Sequence, residues 1–189
     1  MDDNVRVPHF ECLKTERLVL RRFRQEDMPA LIAYRADPEV ARYQGWRQME
    51  ESDAYYFLEW LRDAEPGMPG RSFQFAVTLA GADALIGDCY FTLLHDDPQQ
   101  AEIGYTFARQ SQGHGYASEA ASAVVAYAFD VLRLHRVVGR CATPNQRSAA
   151  VLERIGMRYE GTTLSSFLCH GEWLDEHLYA ILHSEWLRQ

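Results

Sequence analysis

The sequence predicts a mixed α/β protein in which one sheet is flanked by helices within a single domain. Strand-like runs occupy both ends of the chain, and strands alternate with helices in its middle. No linker, repeat or low-complexity segment interrupts the 189 residues. A chain of this length can enclose one substantial core, and the alternation of strands and helices favours a mixed sheet.

The first third of the chain predicts one strand and two helices. Residues 13–23 alternate apolar and polar side chains, which is typical of a half-buried strand. A helix is predicted from about residue 25 to 36, and Asp37-Pro38 would end it because the residue before a proline disfavours helical geometry. A second helix is predicted from about residue 50 to 64, ahead of the Pro/Gly-rich break at residues 66–70.

The rest of the chain predicts an antiparallel meander, a long helix and a final group of strands around a short helix. Turn-forming residues separate the strands of the meander. The predicted strands are 72–79, 85–94, 101–107, 135–142, 157–164 and 172–182, and the predicted helices are 117–131 and 145–155.

The most informative segment is Gln110–Glu119, which joins a predicted strand to the long helix. Its glycines allow the backbone to approach a ligand closely, and a helix N-terminus presents free N–H groups that bind phosphate. An ordinary glycine-containing loop before a core helix is the alternative interpretation. A dinucleotide fingerprint is excluded because Ser118 occupies the position of its third glycine.

Composition and charge exclude several classes of protein. The net charge of −8 argues against nonspecific nucleic-acid binding and favours a basic partner. No apolar run approaches the roughly 20 residues of a membrane span, and the acidic start of the chain does not resemble a signal peptide, so we expect a cytoplasmic protein with no membrane partner. The four cysteines are scattered and the histidines lack ligand spacing, so neither a disulfide framework nor a metal site is expected.

Several motifs resemble those of one family. Gln110-x-x-Gly113-x-Gly115 matches the Q/R-x-x-G-x-G/A signature of the GNAT superfamily of acetyl-CoA-dependent N-acetyltransferases. Other motifs are similar to those of the branch that contains the ribosomal-protein N-acetyltransferases RimJ and RimL. They are Thr15–Arg21, Glu102–Tyr105, Asn145–Ser148 and Val151–Gly156. The resemblance spans nearly the whole chain and implies a GNAT domain at residues 13–187 behind an N-terminal extension at residues 1–12.

The resemblance implies a mostly antiparallel central sheet that splays between its fourth and fifth strands, residues 101–108 and 136–143. It also implies acetyl-CoA as the cosubstrate, with its diphosphate on the glycine turn and its pantetheine arm inserted between the splayed strands. The implied contacts are Phe107, Ala108, Gln112, Gly113, His114, Gly115, Tyr116, Ala117, Asn145 and Ser148. From its position before a helix, Asn145 would also act as an N-cap.

The resemblance gives two catalytic candidates, Glu102 and Ser148. Glu102 begins the strand that should face the thioester and could take a proton from the amine through a water; a solvent-facing glutamate is the alternative. Many family members use a Tyr to protonate the leaving thiolate, but Leu152 occupies that position. Ser148, a water or direct proton transfer would then serve, although Ser148 could equally be an ordinary helical serine. Cys141 has no evident His partner and is interpreted as a buried apolar residue.

The acceptor is the least constrained part of the prediction. Tyr34, Tyr43, Trp46, Phe167 and Trp173 are candidates for lining an acceptor cleft, although each could instead pack in the core. The resemblance implies direct attack of a primary amine in a ternary complex, with a protein N-terminal α-amine as the expected acceptor. The alternatives are a small-molecule amine (a polyamine, amino acid or antibiotic) and a non-catalytic acyl-CoA-binding module. The resemblance also makes a homodimer one expected assembly state.

Overall fold

A computed structural model describes residues 8–46 and 48–188 and shows a central sheet with helices on both faces. The strands are β1 (Cys12–Lys14), β2 (Leu18–Arg21), β3 (Phe73–Leu79), β4 (Leu85–Leu93), β5 (Gln100–Phe107), β6 (Arg136–Ala142), β7 (Arg158–Cys169) and β8 (Glu172–Leu182). The α-helices of this part of the chain are α1 (Met28–Arg35), α2 (Pro38–Ala41), α3 (Glu51–Leu61), α4 (Tyr116–Asp130), α5 (Gln146–Arg154) and α6 (His183–Trp186). The strand order is β1-β2-β3-β4-β5-β6-β8-β7, which confirms the predicted mixed α/β class.

Two apolar clusters occupy opposite faces of the sheet. The alternation of side chains along β3 shows the division, because Phe75 and Val77 lie in the larger cluster and Ala76 in the smaller one. The long helix α4 packs on the larger cluster through small residues such as Ala121 and Ala128, while α1 and α3 contribute to the smaller one. In the described ranges, no helix combines the length and the apolar character that a bilayer span requires.

The start of the sheet differs from the sequence prediction. Instead of one strand over residues 13–23, β1 and β2 form a hairpin in which Lys14 pairs with Val19. Thr15 makes the turn, because its Oγ1 accepts the Leu18 N–H at 2.9 Å and its own N–H donates to the Leu18 carbonyl at 3.0 Å. A threonine hydroxyl can satisfy the backbone in this way, so the alternating pattern gave no sign of the break.

The segment assigned to the N-terminal extension contributes to the core. Phe10 is 3% exposed and packs edge-on against Phe73 and Phe75, with ring centroids 5.3 and 5.0 Å apart. Residues 1–7, which include the acidic start of the chain, lie outside the described residues.

The strand β7 continues well past residue 164, where the sequence predicted its end. A bulge interrupts its pairing with β8 between Thr163 and Phe167, and the ladder then resumes with Phe167 opposite Leu174. Within the bulge, Ser165 has a φ of 46°, which lies in the left-handed region. Bulges bend a strand and redirect its side chains, and this one lies beside the cleft described below.

The pairing of β5 with β6 stops halfway along β5. These two strands are parallel, and their pairing covers Gln100–Ile103 against Arg136–Gly139. Beyond that point β5 continues through residues 104–107 and β6 through residues 140–142 without pairing with each other. The expected splay between the fourth and fifth strands of the resemblance is therefore present here, and it opens a cleft in the sheet.

Candidate active site

The glycine turn forms a cradle of N–H groups at the start of α4. Gly113 and Gly115 have φ values of 80° and 81°, a conformation that favours glycine. Among the described residues, none accepts a hydrogen bond from the N–H groups of residues 113–118. Successive N–H groups at a helix N-terminus attract an anion, so the turn has the donors that a diphosphate needs.

Arg17 lies directly on this turn, which the sequence analysis did not anticipate. Its Nη1 donates to the His114 carbonyl at 3.0 Å, and its guanidinium lies 4.9 Å from the centre of the Tyr116 ring. The same side chain forms an ion pair with Glu119, with 2.6 Å between Arg17 Nη2 and Glu119 Oε2. The β1–β2 hairpin thus brings a cation to a turn about 100 residues away in sequence.

Glu119 holds the hairpin against α4. Its Oε1 accepts hydrogen bonds from Thr15 Oγ1 at 2.5 Å and from the Arg17 N–H at 2.9 Å. Burial raises the pKa of Glu119, but the hydrogen bonds from Thr15 and Arg17 outweigh it and lower the pKa overall. The carboxylate therefore stays ionised at neutral pH and fixes the position of Arg17.

Two further arginines approach the turn from α5. Arg147 Nη1 lies 3.4 Å from Gln112 Oε1, and Arg154 Nη1 donates to Ser118 Oγ at 3.0 Å. The turn is therefore surrounded by positive charge, although the protein as a whole is acidic.

The cleft between β5 and β6 has a volume of about 190 Å³ and two chemically different sides. Its lining residues on the α5 side are Tyr105, Cys141, Asn145, Ser148 and Leu152. The opposite side is lined by Tyr43, Gln44, Gly45, Tyr90, Glu102, Arg140, Phe167 and Glu176. Because side chains alternate along each strand, β5 sends Tyr105 to one side and Glu102 to the other, and β6 divides Cys141 from Arg140 in the same way.

A pair of hydroxyl groups marks the α5 side. The Tyr105 hydroxyl donates to the Ser148 carbonyl at 2.9 Å and lies 3.0 Å from Ser148 Oγ. Burial raises the pKa of Tyr105 well above its ordinary value, so the phenol keeps its proton at neutral pH. Asn145 caps α5, because its Oδ1 accepts the Ser148 N–H at 3.2 Å.

Two carboxylates and one guanidinium mark the other side. Glu102 is half-buried, and its Oε2 lies 3.4 Å from Arg140 Nε. Burial raises the pKa of Glu102, Arg140 opposes this increase, and the charge of Glu176 adds to it. The result is a carboxylate that accepts a proton more readily than an exposed glutamate does.

The comparisons with known proteins agree with this geometry. A family model described as an acetyltransferase (GNAT) domain matches residues 17–158. The chain belongs to the GNAT acetyltransferase family. The uncharacterized N-acetyltransferase YnaD of Bacillus subtilis is 35% identical to this GNAT chain over 92% of the chain and 98% of YnaD. A crystal structure of a GNAT-family acetyltransferase from Bacillus anthracis superposes with a TM-score of 0.82, at 34% identity, covering 92% of this chain and 99% of that one.

A more distant relative has a named acceptor. The [ribosomal protein uS5]-alanine N-acetyltransferase of Escherichia coli is 26% identical to this GNAT chain over 92% of each sequence. The suspected relationship to the ribosomal-protein N-acetyltransferases is confirmed at this modest level of identity.

The structure of this GNAT domain brings together most of the residues singled out in the sequence. Glu102, Asn145, Ser148, Tyr43 and Phe167 all line one cleft. Residues 113–117 belong to the cradle of free N–H groups, whereas the Gln112 N–H donates to the Arg109 carbonyl. Cys141 lines the cleft too, but burial raises its pKa to about 11, so the thiol is protonated and a poor nucleophile at neutral pH.

Three of the aromatic acceptor candidates lie outside the lining of this cleft. Tyr34 is buried at 4% exposure, and its hydroxyl donates to Asp88. Trp46 packs on Arg35, whose guanidinium lies 4.5 Å from a ring centre of Trp46, and so anchors the loop that carries Tyr43. Trp173 is 62% exposed and, by the alternation along β8, points to the opposite face from Glu176.

The backbone of Ala108 is already engaged within the protein. Its N–H donates to the Ile86 carbonyl at 2.9 Å, and its carbonyl accepts the Ser111 N–H at 2.8 Å. Since backbone groups alternate in direction along a strand, the N–H groups of Tyr105 and Phe107 face the gap toward β6. The Phe107 carbonyl accepts a hydrogen bond from Gln112 Nε2 at 3.0 Å.

Four residues of the site were not predicted from the sequence: Arg17, Tyr105, Arg140 and Glu176. Tyr105 stands in the Glu102–Tyr105 motif, and an odd spacing of three residues along a strand already predicts that it points away from Glu102. The other three depend on contacts between distant segments and carry no local signal. Leu152, in place of the usual Tyr, is 1% exposed, and an ideal Cβ at Gly139 would lie 2.5 Å from it, so it packs tightly on β6.

Proposed function

We propose that the protein transfers an acetyl group from acetyl-CoA to the α-amine at a protein N-terminus. The observation that carries the proposal is a cleft lined by the hydroxyl pair Tyr105–Ser148 and the half-buried carboxylate of Glu102, in a fold that also presents the N–H cradle at residues 113–118. They provide, respectively, a proton donor, a proton acceptor and an anion site.

The described residues fit acetyl-CoA. The cradle at residues 113–118 would hold the diphosphate, with Arg17 supplying a positive charge. The pantetheine arm would lie between β5 and β6, where the backbone of Tyr105 and Phe107 faces the gap. When bound there, acetyl-CoA supplies the thioester whose acetyl group is transferred. Among residues 8–46 and 48–188, no three His, Cys, Asp or Glu side chains are grouped as metal ligands.

Glu102 would act as the general base. The attacking amine must lose a proton, and an α-amine with a pKa of about 7.7–8.0 requires much less help than a lysine with a pKa of about 10.4. The raised pKa of Glu102 suits a base that works near neutral pH. A second carboxylate, Glu176, lies in the same lining and would attract the cationic form of the acceptor.

Ser148 would supply the proton to the leaving thiolate. Ser148 lines the cleft, and the Tyr105 hydroxyl, 3.0 Å from Ser148 Oγ, would hold the serine in position. Ser148 would thus do the work that a Tyr at position 152 would otherwise do.

Support for a protein N-terminus comes from the relative that acetylates an alanine of ribosomal protein uS5. A thiol-release assay with matched peptides, free amino acids and polyamines tests the proposal. Turnover with peptides that have a free α-amine is the expected result, and peptides blocked at the N-terminus should be inert. Turnover with polyamines alone would assign a small-molecule acceptor. CoA binding measured by calorimetry without any turnover would instead identify a non-catalytic binding module.

Replacing Arg17 by Gln is expected to raise the KM for acetyl-CoA about tenfold, since one charge-assisted contact to phosphate is lost. The KM for the amine should not change, because Arg17 lies on the cradle and not in the cleft lining. Steady-state kinetics with each substrate varied in turn measures both effects.

The matched control for this experiment is Arg24→Gln, which removes an exposed arginine that pairs with Asp83. Equal effects of the two substitutions would show that net charge alone matters, and would remove Arg17 from the proposed site.

A further inference from the structure

The acceptor side of the cleft includes a contact between two segments that are distant in sequence. Gly45, in the loop after α2, and Phe167, in β7, both line the cleft. An ideal Cβ at Gly45 would lie 3.3 Å from Cε2 of Phe167, so the ring can approach this closely because Gly45 has no side chain. The contact joins the loop after α2 to β7 in the wall of the cleft.

This closing contact is held in place by its surroundings. Cys169 Sγ lies 3.6 Å from the Arg42 carbonyl and 3.5 Å from the Gln44 carbonyl. His170 Nε2 lies 3.0 Å from the Ala41 carbonyl. The tip of the β7–β8 hairpin is therefore fastened to the loop at several points, close to Phe167 in the sequence.

The bulge in β7 sets the position of Phe167 along the neighbouring strand β8. Asp175 Oδ1 accepts the Ser165 N–H at 2.7 Å, which holds the bulged residue in its left-handed conformation. Ser166 Oγ lies 3.3 Å from Glu176 Oε2, so the bulge also contacts the carboxylate in the cleft. The bulge adds two residues to β7, so it keeps the face of Phe167 but places this residue opposite Leu174, two residues nearer to Glu176 than unbroken pairing would.

The space that remains is small. The whole cleft has a volume of about 190 Å³. This volume includes both the Ser148 side and the Glu102 side, so the part left for the acceptor is smaller still.

We propose that Phe167 determines acceptor specificity by limiting the size of the side chain next to the reacting amine. The inference rests on the proposed function and deepens it. An acceptor with a glycine, alanine or serine side chain reaches the region between Glu102 and Glu176, whereas an aromatic side chain at the same carbon collides with the Phe167 ring. The fastening of the hairpin to the loop limits how far the backbone at Phe167 can move.

The test uses tripeptides that differ only in the first residue, Ala or Phe, and measures kcat/KM by thiol release. The wild-type protein is expected to favour the Ala peptide by at least about tenfold, a typical discrimination by pocket size. In Phe167→Ala this ratio should fall at least about fivefold, mainly through a gain with the Phe peptide. Phe167→Leu should lower the ratio by a smaller amount, and it keeps an apolar group against Gly45 if the alanine variant folds poorly.

Leu168→Ala is the matched control, because Leu168 is the next residue, is 52% exposed and points to the other face of the hairpin. Its ratio should equal that of the wild type. Equal rates of the wild type with both peptides, or an unchanged ratio in both Phe167 variants, would overturn the size limit while leaving the proposed acetyl transfer intact. Absence of turnover with every amine would instead overturn the proposed function, and the specificity role with it.

Discussion

Substitution of Glu102 by Gln is expected to lower kcat/KM for the amine by about 100-fold, within the range typical for loss of a general base. Gln keeps the size and polarity of the side chain but cannot accept the proton of the amine. The KM for acetyl-CoA should change little, because Glu102 lies on the opposite side of the cleft from Ser148. Steady-state rates over a pH series measure the effect.

The pH–rate profile of the enzyme provides a more specific test of Glu102. Burial raises the pKa of Glu102, so the acidic limb of the wild-type profile should lie above that of an ordinary carboxylate. In Glu102→Gln the limb that belongs to this group should disappear, while any limb due to the amine remains. Glu172→Gln, which changes an exposed glutamate at the hairpin tip, is the control and should keep the wild-type profile. A profile of Glu102→Gln that retains the wild-type acidic limb would exclude Glu102 as the base.

The same pKa shift has a defined sign for stability. A carboxylate whose pKa is higher in the folded state binds its proton more tightly there, so it stabilises folding at low pH. That contribution is lost as the pH rises through the raised pKa of Glu102. Glu102→Gln should therefore leave the thermal midpoint at neutral pH unchanged or slightly higher, which separates a catalytic loss from unfolding.

Substitution of Gly87 by Ala is expected to destabilise the protein by about 1–3 kcal/mol, the usual cost of overpacking a core. An ideal Cβ at Gly87 would lie 2.5 Å from the Thr106 carbonyl oxygen and 2.7 Å from Cδ1 of Phe107. The backbone of β5 cannot yield as a flexible side chain would, so β4 and β5 must move apart. Chemical denaturation monitored by tryptophan fluorescence measures the loss.

Gly104→Ala is the matched control within the same pair of strands. Its Cβ would meet Tyr90 Cβ at 3.6 Å, which is an ordinary van der Waals contact. Its free energy of unfolding should therefore stay close to that of the wild type. If both substitutions cost the same, the cost of Gly87→Ala would come from strand propensity and not from the contact with Thr106.

Much of the fold follows from local patterns. The glycine turn, the long apolar helix α4 and the meander of β3, β4 and β5 lie close to where the sequence predicts them. The features that escaped include the hairpin turn at Thr15 and the bulge at residues 164–166. In both places a side chain accepts a hydrogen bond from a backbone N–H group, where a glycine or proline would usually mark the turn. Thr15 Oγ1 accepts the Leu18 N–H, and Asp175 Oδ1, from the neighbouring strand, accepts the Ser165 N–H.

Some residues of the site could be predicted from local motifs, whereas others come from segments that are distant in sequence. The cradle and the residues that line the cleft from β5 and α5 belong to contiguous motifs, so a single sequence can indicate them. Arg17 and Glu176 reach the site from segments before and after those motifs, and only the folded sheet brings them there. Tyr34 was predicted to line the acceptor cleft but is buried, with its hydroxyl bonded to Asp88. The local sequence around a buried tyrosine of this kind does not differ from that around a tyrosine in a cleft.

Because β5 and β6 pair along only part of their length, the sheet consists of two halves that few hydrogen bonds connect. The chain before β6 carries the first half, and β6, β7 and β8 carry the second. A coenzyme arm lying in the gap would bridge the free edges of β5 and β6 and form hydrogen bonds with both strands. Binding would then slow amide exchange along the free edges of β5 and β6 and raise the melting temperature by mass action. At high coenzyme concentration the protein would thus be more rigid, whereas at low coenzyme concentration the two halves of the sheet would move more freely relative to each other.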